Sequence, residues 1–152
     1  MAKRKIVCVP DDTLRQVCRP VERVTPRIQM LLDDMLETMH AADGVGLAAP
    51  QVGILRRIVV IEVEEGHPIY LINPEIVYES GEQEGGEGCL SVPGRSGIVR
   101  RPMHVTVRGL GYNGEAVEIT GDGLLARAIC HETDHLDGRI YTDIAISMND
   151  ED

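Results

Sequence analysis

The sequence predicts an α+β fold: mainly antiparallel sheets around a central helix in the C-terminal half that carries an HExxH pattern, plus an N-terminal helix. Three observations predict it. Apolar residues recur at helical spacing in two stretches, one ahead of residue 44 and one leading into residue 138. Short β-branched or alternating runs fill the interval between them. Two such runs near the end are joined around Asn113-Gly114, a strong hairpin signal.

Thr25 and Pro26 open the first helix, as a capping hydroxyl followed by proline at the first helical position. Ile28, Leu31, Leu32, Met35, Leu36 and Met39 then form one apolar face, and Gly44 is the expected stop. The run "RIVVIEV" (57–63) is short and β-branched, hence a strand. "IYLINP" and "EIVYES" are expected to be two strand pieces separated at Asn73-Pro74. "MHVTVRGLGYNGEAVEIT" (103–120) is the hairpin. The second helix is expected to open near Asp122 and close at Gly138, with Leu124, Leu125, Ala128 and Ile129 facing inward.

No repeat, linker or low-complexity segment divides the 152 residues, so residues 1–152 are expected to form one domain with a real core. Phe and Trp are absent, which leaves Leu, Ile, Val and Met to fill that core. The net charge of -10, from 15 basic and 25 acidic residues, opposes direct nucleic-acid binding through clustered cations. "MAKRK" is basic, but the apolar stretch after it runs into Asp11-Asp12 too soon for a signal peptide. No apolar run approaches the roughly 18 residues of a membrane helix, and a cytoplasmic protein with no membrane partner is expected. In a reducing compartment Cys8, Cys18, Cys89 and Cys130 are expected to be buried small side chains or ligands rather than disulfides.

Chemistry concentrates in "CHETDHLDG" (130–138). His131 and His135 stand four positions apart, which on a helix places two imidazoles on one face with Cβ atoms about 5–6 Å apart. Such a pair can meet one metal ion while Glu132 lies over an open coordination position as a base. The spacing alone is equally compatible with a solvated helix face. A third ligand would come from His40, His67, His104 or Cys89. His104 sits in an alternating strand, His67 in a turn and His40 at the end of the first helix, where its charge suits the helix dipole. Cys89 lies in "GGEGCLSVPG" (85–94), whose glycines allow close backbone approach, and a thiolate suits zinc or ferrous iron; a buried thiol in a tight turn is the plainer alternative. "GVGLAAPQVG" (44–53) lacks the GxGxxG pattern of a dinucleotide site and alone is a close-packed loop.

In this order, "GVGLAAPQ", "EGCLS" and "HETDH" resemble the three motifs of the peptide deformylases, and the resemblance extends from "VCVPDDTLRQVCRPV" to "HLDGRIYTD". It implies a metallohydrolase that removes the N-formyl group from the initiator methionine of new polypeptides and releases formate. It implies Cys89, His131 and His135 as ligands of one divalent ion, usually Fe2+, with Zn2+, Ni2+ or Co2+ also acceptable to this donor set. Water activated by the metal would attack the formyl carbonyl, with Glu132 as general base and then acid. Gln51, through its amide, and Leu90, through its backbone N–H, would donate to the oxyanion.

The substrate's methionine would enter a pocket lined by Val45, Leu90, Leu124 and Ala128, with Glu87 and Arg127 at its edge. Gly44, Gly46 and Gly88 would let the N-formylmethionyl peptide lie beside the backbone, and Arg95 is the nearest candidate to contact it. Glu87 is expected to pair with Arg101. The sequence departs from the family in four places, the first being Ser96, which holds the offset after "EGCLS" where an Arg is common, with Arg95 next to it. Cys130 stands where the family often has Gln, Arg127 where an apolar residue is usual, and the acidic "SMNDED" where some members carry a basic helix that docks on the ribosome. An HExxH endopeptidase and a catalytically silent metal-binding relative are the rival readings; the Cys ligand opposes the first, intact Glu132 and Gln51 the second.

Overall fold

The computed structural model describes residues 2–150, and the side chains of residues 2–149. Its strands are β1 (Gly46–Ala48), β2 (Ile58–Ile61), β3 (Ile69–Ser80), β4 (Gln83–Cys89), β5 (Val92–Arg101), β6 (His104–Leu110), β7 (Ala116–Asp122) and β8 (Ser147–Asp150). The helices are α1 (Pro26–Ala41) and α2 (Leu124–Leu136), with 3-10 turns at Asp12–Arg15, Ala49–Val52 and Tyr141–Asp143. One sheet has the order β1-β2-β3-β6-β7 and the other β4-β5-β8. Every pairing within them is antiparallel. The predicted α+β class, with two helices and antiparallel sheets, is therefore the observed one.

α1 begins as its sequence dictates. The Thr25 hydroxyl accepts from the Ile28 N–H, and Pro26 follows in the first turn. Its apolar face buries Leu31, Leu32, Met35 and Met39 against Leu47, Ile58, Val60 and Ile72. A second core lies beneath α2, where Ala126, Ala128, Ile129 and Leu136 meet Val59, Ile61, Leu71, Val105 and Val107. β2 contributes to both cores: Ile58 and Val60 face one, Val59 and Ile61 the other, and all four are fully buried. That two-sided burial explains why its sequence is a continuous apolar run rather than an alternating one. The chain thus sandwiches the five-stranded sheet between α1 and α2.

Several boundaries differ from the sequence expectation. The left-handed residue after α1 is Asp43, at φ 58°, and not Gly44. Asn73-Pro74 does not divide two strands. β3 runs through it as one strand with register shifts between Ile72 and Tyr78, and Asn73, at φ 54°, absorbs the first of them. The Asn73 side chain then accepts from the Val21 N–H at 2.8 Å and donates to the Val21 carbonyl at 2.8 Å. Asp122 remains in β7, and Gly123, at φ 56°, turns the chain into α2. Leu124 is 55% exposed, so it does not join the core as expected of an inward-facing position. "GGEGCLSVPG", for which a tight turn is the plainer alternative, is mostly strand in β4 and β5, with only Leu90 and Ser91 at the reversal. Of the tail "SMNDED", residues 147–150 form β8 and residues 151–152 lie outside the described residues.

Candidate metal centre and active site

α2, the end of β4 and the turn after β1 converge on one cavity of about 470 Å³, within the usual range of small-ligand sites. The site residues Gln51, Cys89, Leu90, His131 and Glu132 line it, as do Gly44, Val45, Gly46, Glu87, Gly88, Arg95, Leu124, Arg127 and Ala128. His135 lies beside it, with Nε2 3.4 Å from Cys89 Sγ. One ligating atom from each of Cys89, His131 and His135 falls within 4.8 Å of the other two. Residues separated by more than forty positions in sequence thus meet because β4 ends against the face of α2 that carries the HExxH pair. His40, His67 and His104 are elsewhere, on Glu62, Glu64 and Asp122 respectively.

Glu87 organises this cluster. Its Oε1 accepts from Arg101 Nη2 at 2.9 Å and lies 2.8 Å from His131 Nδ1. Its Oε2 accepts from Arg101 Nε and from Arg127 Nη1, both at 2.8 Å. Burial would push this carboxyl up, but the Arg101 and His131 hydrogen bonds outweigh it and hold the group down at about 2. An ionised carboxylate only accepts, so His131 Nδ1 donates a proton to it, which leaves Nε2 as the nitrogen facing the cluster. The expected Glu87–Arg101 pair is present, and Arg101 also reaches Asp134 at 2.7 Å. Tyr141, fully buried, stacks on the His131 ring with centroids 5.9 Å apart.

Arg127 borders the cavity as its sequence position suggested, but its guanidinium turns into the protein. Besides Glu87 it donates to the Val99 and Gly85 carbonyls and to Gln83 Oε1. An Arg can therefore stand where the family is usually apolar, because its charge is satisfied by Glu87, Gln83 and the Gly85 and Val99 carbonyls. Cys130 is buried in the core under α2, where burial pushes its thiol up to about 11, so it packs rather than ligates.

Burial raises the Glu132 carboxyl to about 7, against the pull of His131. Its Oε1 is buried without a hydrogen-bond partner among the described residues. An unpaired buried carboxylate oxygen is costly, and it suits a group that exchanges a proton with a reactant. The side chain lies directly over Gly46, where a Cβ would stand 2.4 Å from Oε2 and 2.9 Å from Cγ. Gly46→Ala is therefore expected to displace Glu132 and cut kcat by about 10²-fold, the lower end of acid–base contributions, while the far-ultraviolet dichroism stays unchanged. An unaltered kcat would show that Glu132 has room to spare. Gly44 is also tight, its Cβ position 2.8 Å from Leu90 Cδ1, whereas Gly88 has nothing nearer than 3.7 Å.

The donor set fits a divalent cation. In the protein alone, burial lowers His131, yet the Glu132 charge and the hydrogen bonds to Cys89 and Glu87 outweigh it and raise the imidazole to about 10. Burial and the His131 charge push His135 down to about 3. A cation is thus favoured beside Glu87 and Glu132 while the neighbouring imidazole stays neutral, and a Cys with two His is a donor set that suits a divalent metal ion. Sequence reasoning passed over Ser91 and Tyr141. Ser91 stood inside the quoted "EGCLS", where the motif itself was a signal; Tyr141 had none, because its contact with His131 is purely tertiary.

Fold and site together define a metallohydrolase of the HExxH type in which a cysteine at a β-strand end joins the two histidines in a cluster able to hold a metal ion. The family model for polypeptide deformylase matches residues 3–151, and the chain belongs to that family. The chain is 60% identical to the peptide deformylase of Agathobacter rectalis over 94% of its own length and 90% of the relative's. It is 55% identical to that of Acetivibrio thermocellus over 100% of its own length and 89% of the relative's. Among solved structures it resembles the Legionella pneumophila peptide deformylase, with TM-score 0.91, 46% identity and coverage of 93% of this chain and 85% of that one. The Ehrlichia chaffeensis enzyme, solved in complex with actinonin, gives TM-score 0.93 at 44% identity, covering 95% and 89%. The protein is a metal-dependent hydrolase that removes the N-formyl group from new polypeptides. No described helix is long and apolar enough to cross a membrane.

Proposed function

We propose that Cys89, His131 and His135 hold a single divalent ion, ferrous iron in the cell, and that Glu132, Gln51 and Leu90 carry out the deformylation around it. The convergence of the three ligating atoms within 4.8 Å supports this assignment most directly. A divalent ion held there supplies Lewis acidity and brings the pKa of a water molecule down to roughly 7. Glu132 would take a proton from the water that adds to the formyl carbon. Its raised carboxyl lets it pass the proton on to the departing amine nitrogen of methionine, leaving formate and a free amino terminus.

Gln51 is 1% exposed, and its Oε1 accepts from the Ala48 N–H at 3.0 Å, so its Nε2 is turned toward the cluster. With the Leu90 backbone N–H it would stabilise the oxyanion as the carbonyl becomes tetrahedral. Val45, Leu90, Leu124 and Ala128 receive the methionine side chain. The exposure of Val45 (45%) and Leu124 (55%) supports this, since a peptide could cover both at the mouth of the cavity. Gly44, Gly46, Gly88 and Arg95 would border the peptide backbone, while Glu87 and Arg127 shape the wall from behind. Residues 1–152 then act as one catalytic domain in the cytoplasm on nascent chains, without docking on the ribosome through a C-terminal helix and with no direct grip on nucleic acid.

The deciding assay is formate release from formyl-Met-Ala-Ser by protein purified without oxygen and loaded with ferrous iron. Formate is expected from that peptide and no cleavage from unformylated Met-Ala-Ser. Cutting of an internal bond in the unformylated peptide would instead make the protein an endopeptidase.

A further inference from the structure

We propose that Ser91 is a positioning residue for deformylation: its hydroxyl fixes the Gln51 amide so that one N–H faces the reacting carbonyl. The proposal rests on Gln51 being the oxyanion donor.

Three bonds rotate between the Gln51 backbone and its amide, so an unrestrained side chain would spend little time correctly aimed. Here both ends of the amide are held. Oε1 accepts from the Ala48 N–H at 3.0 Å, which forces the nitrogen to the opposite side. Nε2 has two protons. One is donated to Ser91 Oγ at 3.0 Å, and the other points to Cys89 Sγ at 3.5 Å. The second contact is long and bends toward the metal cluster. It is the proton a developing oxyanion beside Cys89 could take over with no rotation of the amide, and the Ser91 bond keeps the plane in place as that happens.

The position of Ser91 is itself set by backbone. Its carbonyl accepts from the Val9 N–H at 2.9 Å, and the Gln51 carbonyl accepts from the Val7 N–H at 2.7 Å. The same short stretch therefore ties the Ala49–Val52 turn to the Leu90–Ser91 reversal, so the hydroxyl meets the amide at a separation the side chains do not choose. Ser91 is 0% exposed, so no bulk water competes for that hydroxyl. Removing it would strand a buried N–H, and the amide would rotate to seek another acceptor.

The test is a double-mutant cycle on zinc-loaded protein with formate release as one readout and side-chain amide NMR as the other. Ser91→Ala is expected to lower kcat about tenfold, a fraction of the 10²–10³ typical for losing an oxyanion donor. KM and metal content should stay unchanged, and Ser91→Thr should restore the rate. In a Gln51→Ala background the same change should have no further effect. An equal loss of rate in both backgrounds would overturn the proposal, because Ser91 would then act without Gln51. In the wild-type protein the Gln51 Nε2 protons should exchange slowly with solvent, and one of them should show a nuclear Overhauser contact to the Ser91 side chain. Rapid solvent exchange of both protons with no contact to Ser91 would overturn the proposal even were Ser91→Ala not to fold. A wild-type rate in Gln51→Ala would instead sink the oxyanion assignment, and the resonances would still show whether Ser91 holds the amide.

Discussion

Glu132→Gln is expected to keep a full complement of metal and lose turnover, with kcat for formyl-peptide hydrolysis falling about 10²–10⁴-fold. The substitution preserves the shape that packs against Gly46, where the carboxylate leaves no room for a Cβ. It removes only the ability to accept and return a proton. Cys89→Ala is the informative contrast. It takes away one of three donors, so metal and turnover should be lost together, with the protein still folded around the Leu14, Val92, Val99, Ile140 and Tyr141 cluster that Cys89 merely borders. Metal content by atomic absorption, set beside formate release for both variants, separates the two roles. Loss of metal in Glu132→Gln would make Glu132 a ligand and leave the proton transfer without an owner.

The second large effect concerns Glu87→Gln. The carboxylate is buried against two guanidinium groups and one imidazole, and Gln keeps its shape but not its charge. Arg101 would then keep only Asp134 as a compensating anion, and Arg127 only the neutral acceptors of Gln83, Gly85 and Val99 among the described residues. Breaking a buried pair in this way costs about 3–5 kcal/mol, and for a chain of this size a fall in Tm on the order of 10 °C follows. The same change removes the acceptor that keeps the proton on His131 Nδ1, so metal affinity should drop by about 10–100-fold. Thermal melts and competition with a chromogenic chelator measure the two effects separately. A lower Tm with unchanged affinity would mean that Glu87 holds the fold but does not orient His131.

Much of this molecule was legible before any coordinates. The Thr25-Pro26 start of α1, its apolar face, the Asn113-Gly114 hairpin and the i, i+4 histidine pair all depend on interactions within a few residues, and those act in the same way in any fold. Where expectation and structure parted, a distant group had intervened. Asn73-Pro74 looks like a break, yet β3 continues because β2 and β6 pair on either side of it and Val21 uses the Asn73 side chain. Gly-rich "GGEGCLSVPG" has poor strand propensity, but its first half lies in β4 because Gly85, Gly86 and Glu87 pair with Val99, Ile98 and Gly97 of β5, beside the Arg127 guanidinium.

The site divides in the same way. Residue types and spacing on α2 established that a metal could be bound and that a base stood next to it. Resemblance to known motifs supplied Cys89 and Gln51. No local pattern could show that Arg127 turns its charge away from the cavity, that Tyr141 stacks on His131, or that Ser91 grips the Gln51 amide. Those contacts join positions far apart in the chain, and their existence depends on how two sheets and a helix dock. Short-range periodicity therefore specified the elements and the chemistry they could carry, while long-range packing chose which side chains meet, because hydrogen bonds and burial act on separation in space and not on separation in sequence.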